Sequence, residues 1–257
     1  MAVKRVISFL IRFVPRKYLQ SVSGVFMKLA HWFLRGSQTE CVVCGNHYRH
    51  FLPYGRLRAR SNALCPGCLS LERHRLIQLF LTRKTEFFKK QLKVLHIAPE
   101  RCFLESFKKQ HGSGYVTADL ESPWADVKMD IHHMPFTEAQ FDVVLCNHVL
   151  EHVKDDIQAM TEIKRVLKKG GWAILQVPFF SPVPEHTFSD DSITDSRERE
   201  RIFGQNDHIR RYGKDYPVRI SQSGLRVREE IFSFDLTKEE CHRYGLVPEI
   251  IYIGIKE

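Results

Sequence analysis

Four of the seven cysteines fall in the pattern Cys41-x2-Cys44-x20-Cys65-x2-Cys68. Each Cys-x2-Cys turn presents two sulfurs to one ion, with Gly45 and Gly67 placed where such tight turns need glycine. Four soft donors at this spacing point to a tetrahedral structural zinc with no open position, and therefore no catalytic part. A redox Cys-x-x-Cys would need one pair only, at the start of a helix in a thioredoxin-like unit. Cys102, Cys146 and Cys241 are scattered singly. That distribution argues against a secreted disulfide framework and for a reducing cytoplasm.

A second set of reactive side chains closes a series of apolar runs. Asp119 ends GYVTADL, Asp130 follows ADVKM, and Asn147-His148 ends FDVVLCN. An acid at the end of a second strand can accept both hydroxyls of a ribose, and Asp119 lies 24 residues beyond Leu95, near the interval of about 20 expected for such an acid. Asp130 could accept from an adenine amino group, with Ile131 and Met134 packing the ring faces. Either acid could instead simply cap its turn. The first loop, His96-Ile97-Ala98-Pro99-Glu100, has no glycine. A dinucleotide pyrophosphate needs bare glycine amides, so NAD is disfavoured. S-adenosylmethionine carries no phosphate and tolerates such a loop, with small Ala98 permitting close backbone approach. The candidate cofactor residues are His96, Ala98, Pro99 and Glu100 in the first loop, Asp119 and Leu120 in the second, Asp130 and Ile131 in the third, and Asn147 and His148 in the fourth. Glu151 and His152 are expected one turn along the next helix, facing the methionine end or the substrate.

These residues need a scaffold that brings strand ends together. From Lys93 the chain alternates between short apolar strands and helical runs, with strands at KVLHIAP, GYVTADL, ADVKMDI, FDVVLCN, GGWAILQVP, LRVREEIFSF and EIIYIGIKE. Helices are predicted over 100–110, 155–168 and 215–223. The pattern predicts an α/β fold, a Rossmann-like, doubly wound, mostly parallel seven-stranded sheet whose last two strands form an antiparallel edge pair. Cys146, inside an apolar strand, reads as core. A long insert at 178–217 should cover the substrate. It carries His186 and His208, candidates for a general base because an imidazole is poised near neutrality, and Arg210, Arg211 and Tyr212, suited to an anionic substrate group or to holding the insert closed.

The 257 residues carry a net charge of +9, unevenly placed. Residues 1–36 hold seven Lys/Arg and no acid, and residues 37–90 hold ten against three, so the first 90 carry +14 and the remainder −5. A basic front end suggests an anionic partner surface, phosphate backbone or lipid headgroup. Val3, Val6, Ile7, Leu10 and Phe13 share one helical face and Lys4, Arg5 and Arg12 the other, which predicts a basic amphipathic helix, with a second one reaching Arg35-Gly36. No run approaches the roughly 20 apolar residues of a spanning helix. The expected organisation is a helical segment at 1–36, a zinc-ribbon-like module with a connecting helix at 37–90, and the sheet domain at 91–257.

Over residues 93–180 the chain resembles class I S-adenosylmethionine-dependent methyltransferases of the type 11 kind. From about residue 40 onward it is similar to a bacterial group that combines Cys65-Pro66-Gly67-Cys68 and Ser70–Arg75 (SLERHR) with Leu95–Glu100 (LHIAPE), Asn147–His152 (NHVLEH) and Gly204–Gly213 (GQNDHIRRYG). The resemblance implies methyl transfer, with Ala98, Glu100, Asp119, Asp130 and Asn147 lining the cofactor; His96 stands where an acid is common. It leaves the acceptor open. A cytoplasmic enzyme acting on a small molecule, or on an envelope glycan or lipid-linked intermediate, with residues 1–36 resting on the inner membrane surface, is the leading expectation. An RNA methyltransferase gripping phosphates through its basic zinc module, and a non-catalytic zinc-bearing adaptor, are the alternatives.

Overall fold

The computed structural model describes residues 29–55 and 59–257. The expectation of amphipathic helices over 1–36 falls, for residues 1–28, outside the described residues. Residues 29–33 are helical, and strand rather than helix begins at Arg35. The chain divides into two compact units, one ending at Leu79 and regaining Leu236–Pro248, the other comprising Phe80–Asp235 and Glu249–Glu257. The division thus falls eleven residues before the expected one at 90/91, and the sheet domain is interrupted near its end.

In the first unit, β1 (Arg35–Glu40) pairs antiparallel with β2 (His47–Tyr48), and β3 (Leu52–Tyr54) with β4 (Arg60–Leu64). Each pair carries one cysteine turn: Cys41–Cys44 joins β1 to β2, and Cys65–Cys68 follows β4. The expected connecting helix, α1 (Glu72–Lys84), comes next.

The second unit contains β5 (Val94–Ile97), α2 (Arg101–His111), β6 (Tyr115–Asp119), β7 (Val127–Lys128), β8 (Phe141–Asn147), α3 (Asp156–Val166) and β9 (Leu167–Gln176). β10 (Phe188–Ser189), α4 (Ser196–Phe203) and β11 (Arg210–Arg211) form the insert. α5 (Tyr216–Gln222), β12 (Arg226–Glu230) and β13 (Ile251–Ile255) complete the unit. The sheet has seven strands in the order β12-β13-β9-β8-β5-β6-β7. β5 pairs parallel with β6 and β8, β6 with β7, and β8 with β9. The last two strands form the expected antiparallel pair at one edge, with β12 outermost and β13 between it and β9, antiparallel to both.

Side chains alternate across a strand, so β5 serves two layers. Leu95 and Ile97 join the core that contains Ala159, Met160 and Ile163 of α3. His96 points the other way, onto Phe103 and Phe107 of α2, whose rings stack 4.8 Å apart. Helices therefore cover both faces, and β5 is buried at all four positions. Cys146 is core, as expected, and burial pushes its thiol well above the ordinary range.

The insert is fastened to this sheet by one buried carboxylate. Asp156, 1% exposed, accepts Arg219 Nε at 2.9 Å and the Tyr212 hydroxyl at 3.0 Å, with Arg210 Nη2 at 3.6 Å. Burial alone would push its carboxyl up; the Arg219 hydrogen bonds and the Arg210 charge outweigh that and hold it below the ordinary range. Its folded pKa is depressed, so it stabilises the fold above its unfolded value of about 3.9 and loses that contribution as pH falls through the folded value. Asp156→Asn should cost about 3–5 kcal/mol at pH 7 by stranding Arg219. Urea unfolding should show the gap between variant and parent closing below about pH 4.

Candidate functional site

Because β5, β6, β7 and β8 run parallel, their carboxyl ends share one edge, which carries Ala98–Glu100, Asp119, Asp130 and Asn147. The first loop turns sharply without glycine. Ala98 takes a left-handed conformation (φ 50°), and its N–H donates to Ala118 O at 2.9 Å. Pro99 is buried and Glu100 opens α2. His96 does not line a crevice. It is wholly buried, with Nδ1 2.7 Å from the Tyr115 hydroxyl and Nε2 2.5 Å from Glu100 Oε2. Asn147 Nδ2 donates to Glu100 Oε1 at 3.2 Å. A chain of hydrogen bonds thus runs Tyr115, His96, Glu100, Asn147, and His96 acts on the edge by holding Glu100. Burial raises the Tyr115 phenol, which stays neutral. Asn147 Oδ1 is buried without a partner, which is costly unless a ligand supplies a donor.

Asp119 does cap its turn, as the plainer expectation had it, since Oδ1 accepts from the Glu121 and Ser122 amides at 2.8 and 2.7 Å. Oδ2 takes no part in those bonds. Leu120 beside it is 65% exposed. Asp130 Oδ1 accepts from the His132 amide at 2.9 Å and lies 2.6 Å from its Nδ1. The backbone hydrogen bond and then the side-chain one hold this carboxyl below its ordinary range. Ile131 and Met134, 6% and 4% exposed, are enclosed in the core rather than offered to an adenine.

After β8 the chain turns through residues 148–154 before α3 starts, so Glu151 and His152 sit in the turn, not on the helix. Here the edge meets the insert. Glu151 is buried, with neither carboxylate oxygen hydrogen-bonded. Its Oε1 lies 3.3 Å from His148 Nδ1, 4.0 Å from His152 Nε2 and 3.9 Å from His208 Nε2. His208 is wholly buried, and burial pushes its pKa down, toward the neutral imidazole. His186, the other candidate base, is exposed on the segment leading into β10. Of the two expectations for Arg210 and Arg211, an anionic group or holding the insert closed, the hydrogen bonds fit the second. Arg210 donates to the carbonyls of Leu150, Val153 and Lys154 at 2.9–3.0 Å, and Arg211 to those of Phe180 and Pro182 at 3.2 and 2.7 Å. Tyr212 is spent on Asp156. A guanidinium's donors are satisfied as well by a turn's carbonyls as by a ligand, and sequence cannot separate the two.

In the first unit the four sulfurs converge within 4.8 Å, Cys41 to Cys68 at 3.6 Å and Cys44 to Cys65 at 3.8 Å. None is in a disulfide. Tetrahedral Zn–S bonds of about 2.3 Å would set sulfurs about 3.8 Å apart, so the donor set fits that ion. Asn46 Nδ2 donates to Cys44 Sγ, and the Ser70 hydroxyl lies 3.2 Å from both Cys41 and Cys68.

Residues 85–175, about a third of the chain, match the methyltransferase domain family. An uncharacterized protein of Methanocaldococcus jannaschii is 43% identical over 65 residues, covering 25% of this chain and 28% of its own. An uncharacterized methyltransferase of Schizosaccharomyces pombe is 32% identical over 120 residues, covering 44% and 42%. The chain therefore spans less than half the length of these curated relatives. Among solved structures, YcgJ of Bacillus subtilis superposes with a TM-score of 0.46 at 16% identity, over 72% of this chain and 99% of that one. Residues 85–175 are thus similar to a methyltransferase domain, and they lie within a mostly parallel seven-stranded sheet of Rossmann-like order.

The hydrogen-bonded chain under the first loop can be tested by stability. Tyr115→Phe removes the partner of a buried imidazole nitrogen and should cost about 1–3 kcal/mol in denaturant unfolding.

Proposed function

We propose that the protein transfers a methyl group from S-adenosylmethionine to an acceptor covered by the 178–217 insert, a small molecule or an envelope glycan or lipid-linked intermediate. The observation that supports this reading is the alignment of Glu100, Asp119, Asp130 and Asn147 on successive carboxyl ends of one parallel sheet, where open α/β sheets bind nucleotides. Asp119 Oδ2 would accept the ribose hydroxyls, with Leu120 against the sugar. Asn147 Oδ1 and Glu100 would accept from the ammonium of the methionine end, and Asp130 from the adenine amino group. The bound cofactor supplies an electrophilic methyl on a sulfonium. The protein's residues orient the acceptor in line with that methyl and exclude water. Where the acceptor carries a proton at neutral pH, His208 or His186 would take it.

Cys41, Cys44, Cys65 and Cys68 would hold one zinc that organises the first unit. Cys68→Ser should lower bound zinc by one equivalent, read by elemental analysis of desalted protein. Among the described residues no helix is long and apolar enough to cross a membrane. We place the basic residues 1–36 at an anionic bilayer surface. Unchanged flotation with anionic liposomes after their removal would discard that placement, and salt-sensitive retention on RNA would favour an RNA acceptor.

Calorimetric titration with S-adenosylmethionine and S-adenosylhomocysteine tests the cofactor, with saturable binding expected. Asp119→Ala should raise Kd at least tenfold, about 1.4 kcal/mol. A folded variant with unaltered affinity would refute the ribose assignment, and no binding by the parent would refute the enzyme.

A further inference from the structure

The cluster at Glu151 is unexplained by cofactor binding. A carboxylate 1% exposed with two unpartnered oxygens is costly to keep in place. What surrounds it is a set of oriented imidazoles. His208 Nδ1 is 3.1 Å from Phe203 O and His152 Nδ1 is 3.2 Å from Asp207 O. A carbonyl only accepts, so both imidazoles place an N–H at Nδ1 and turn Nε2 toward Glu151. His208 Nε2 is itself buried without a partner. An Nδ1–H bonded to a backbone carbonyl with a free Nε2 is the arrangement by which proteins fix a histidine for metal ligation.

We propose that Glu151, His152 and His208 bind a divalent transition-metal ion through one carboxylate oxygen and the two Nε2 atoms. The three donor atoms lie within 4.8 Å of one another, with Nε2 to Oε1 separations of 3.9 and 4.0 Å. Zinc bonds of about 2.0–2.2 Å in a tetrahedron would draw them to about 3.3–3.6 Å, a closure of about half an ångström for each Nε2–Oε1 pair. Two imidazoles and a carboxylate suit zinc or ferrous iron over magnesium or calcium. Three protein donors leave a position for water or for an oxygen of an acceptor, unlike the closed four-sulfur site. His148, with Nδ1 3.3 Å from Glu151, flanks the cluster. The inference stands on this geometry and does not depend on methyl transfer; with Nε2 on a metal ion His208 would not act as a base, and that part would fall to His186.

The test is metal stoichiometry on the full chain. Protein saturated with Zn2+ and desalted should hold about two equivalents, and about one in Glu151→Gln and separately in His152→Ala. His152 is 35% exposed, so its replacement leaves the fold intact. Raising zinc from one equivalent to two should raise the melting temperature of the parent and not of either variant. One equivalent in the parent, or two retained by both variants, overturns the proposal. The first result would make Glu151 the counter-ion of a protonated neighbouring histidine.

Discussion

The candidate site exists in its described form because Asp156 is ionised where water cannot reach it. Its carboxylate draws together the start of α3, Tyr212 beside β11 and Arg219 of α5. Arg210, 3.6 Å away, uses its remaining donors to tie down the carbonyls of the 148–154 turn. The insert is therefore seated by charge and directed hydrogen bonds as well as by the apolar packing of Tyr212 and Phe179, and that seating carries His208 to Glu151. Such pairs add little net stability over an apolar substitute but fix geometry well, which is what a site built from two distant segments requires.

The sheet was legible because its strands are short apolar runs that admit one reading, and the cysteine module because ligand spacing is a local property. The acids at 119 and 130 were legible for the same reason, being counted from a strand end. What sequence could not carry was direction. His96 and Asn147 are both polar residues at the ends of apolar runs, yet one is sealed beneath α2 and the other keeps an unsatisfied oxygen at the edge. Nothing local distinguishes Arg210 as a clamp from Arg210 as an anion receptor. Glu151 and His208 are separated by 57 positions, and their approach follows from tertiary folding alone. The inward placement of β13 is likewise a matter of pairing partners, which alternation does not specify.

The two halves of the molecule manage buried charge in opposite ways. In the sheet unit, Asp156 is matched by cations. In the first unit, Arg75 is fully buried and bonded to carbonyls: Ser70 and Ala63 at 2.9 and 3.0 Å, Tyr244 and Gly245 at 2.6 and 2.7 Å. Its guanidinium also lies 4.2 Å from the centre of the Phe51 ring. Burial lowers its pKa, and the nearby thiols, Cys41 foremost, oppose that. Four thiolates around a divalent ion would keep a net charge of minus two, and Arg75 would then be the natural counter-charge.

The Tyr244 and Gly245 carbonyls belong to α6 (Lys238–Tyr244) and the turn that follows it, capped by Gly245 in the left-handed region and returned to the first unit after some 155 residues of sheet domain. Synthesis on a ribosome is vectorial. The cysteines emerge early, while two of Arg75's four acceptor groups follow only after the sheet residues Phe80–Asp235 have been made. Until then the buried guanidinium lacks half of its carbonyl partners, so the first unit cannot close around Arg75 ahead of the sheet.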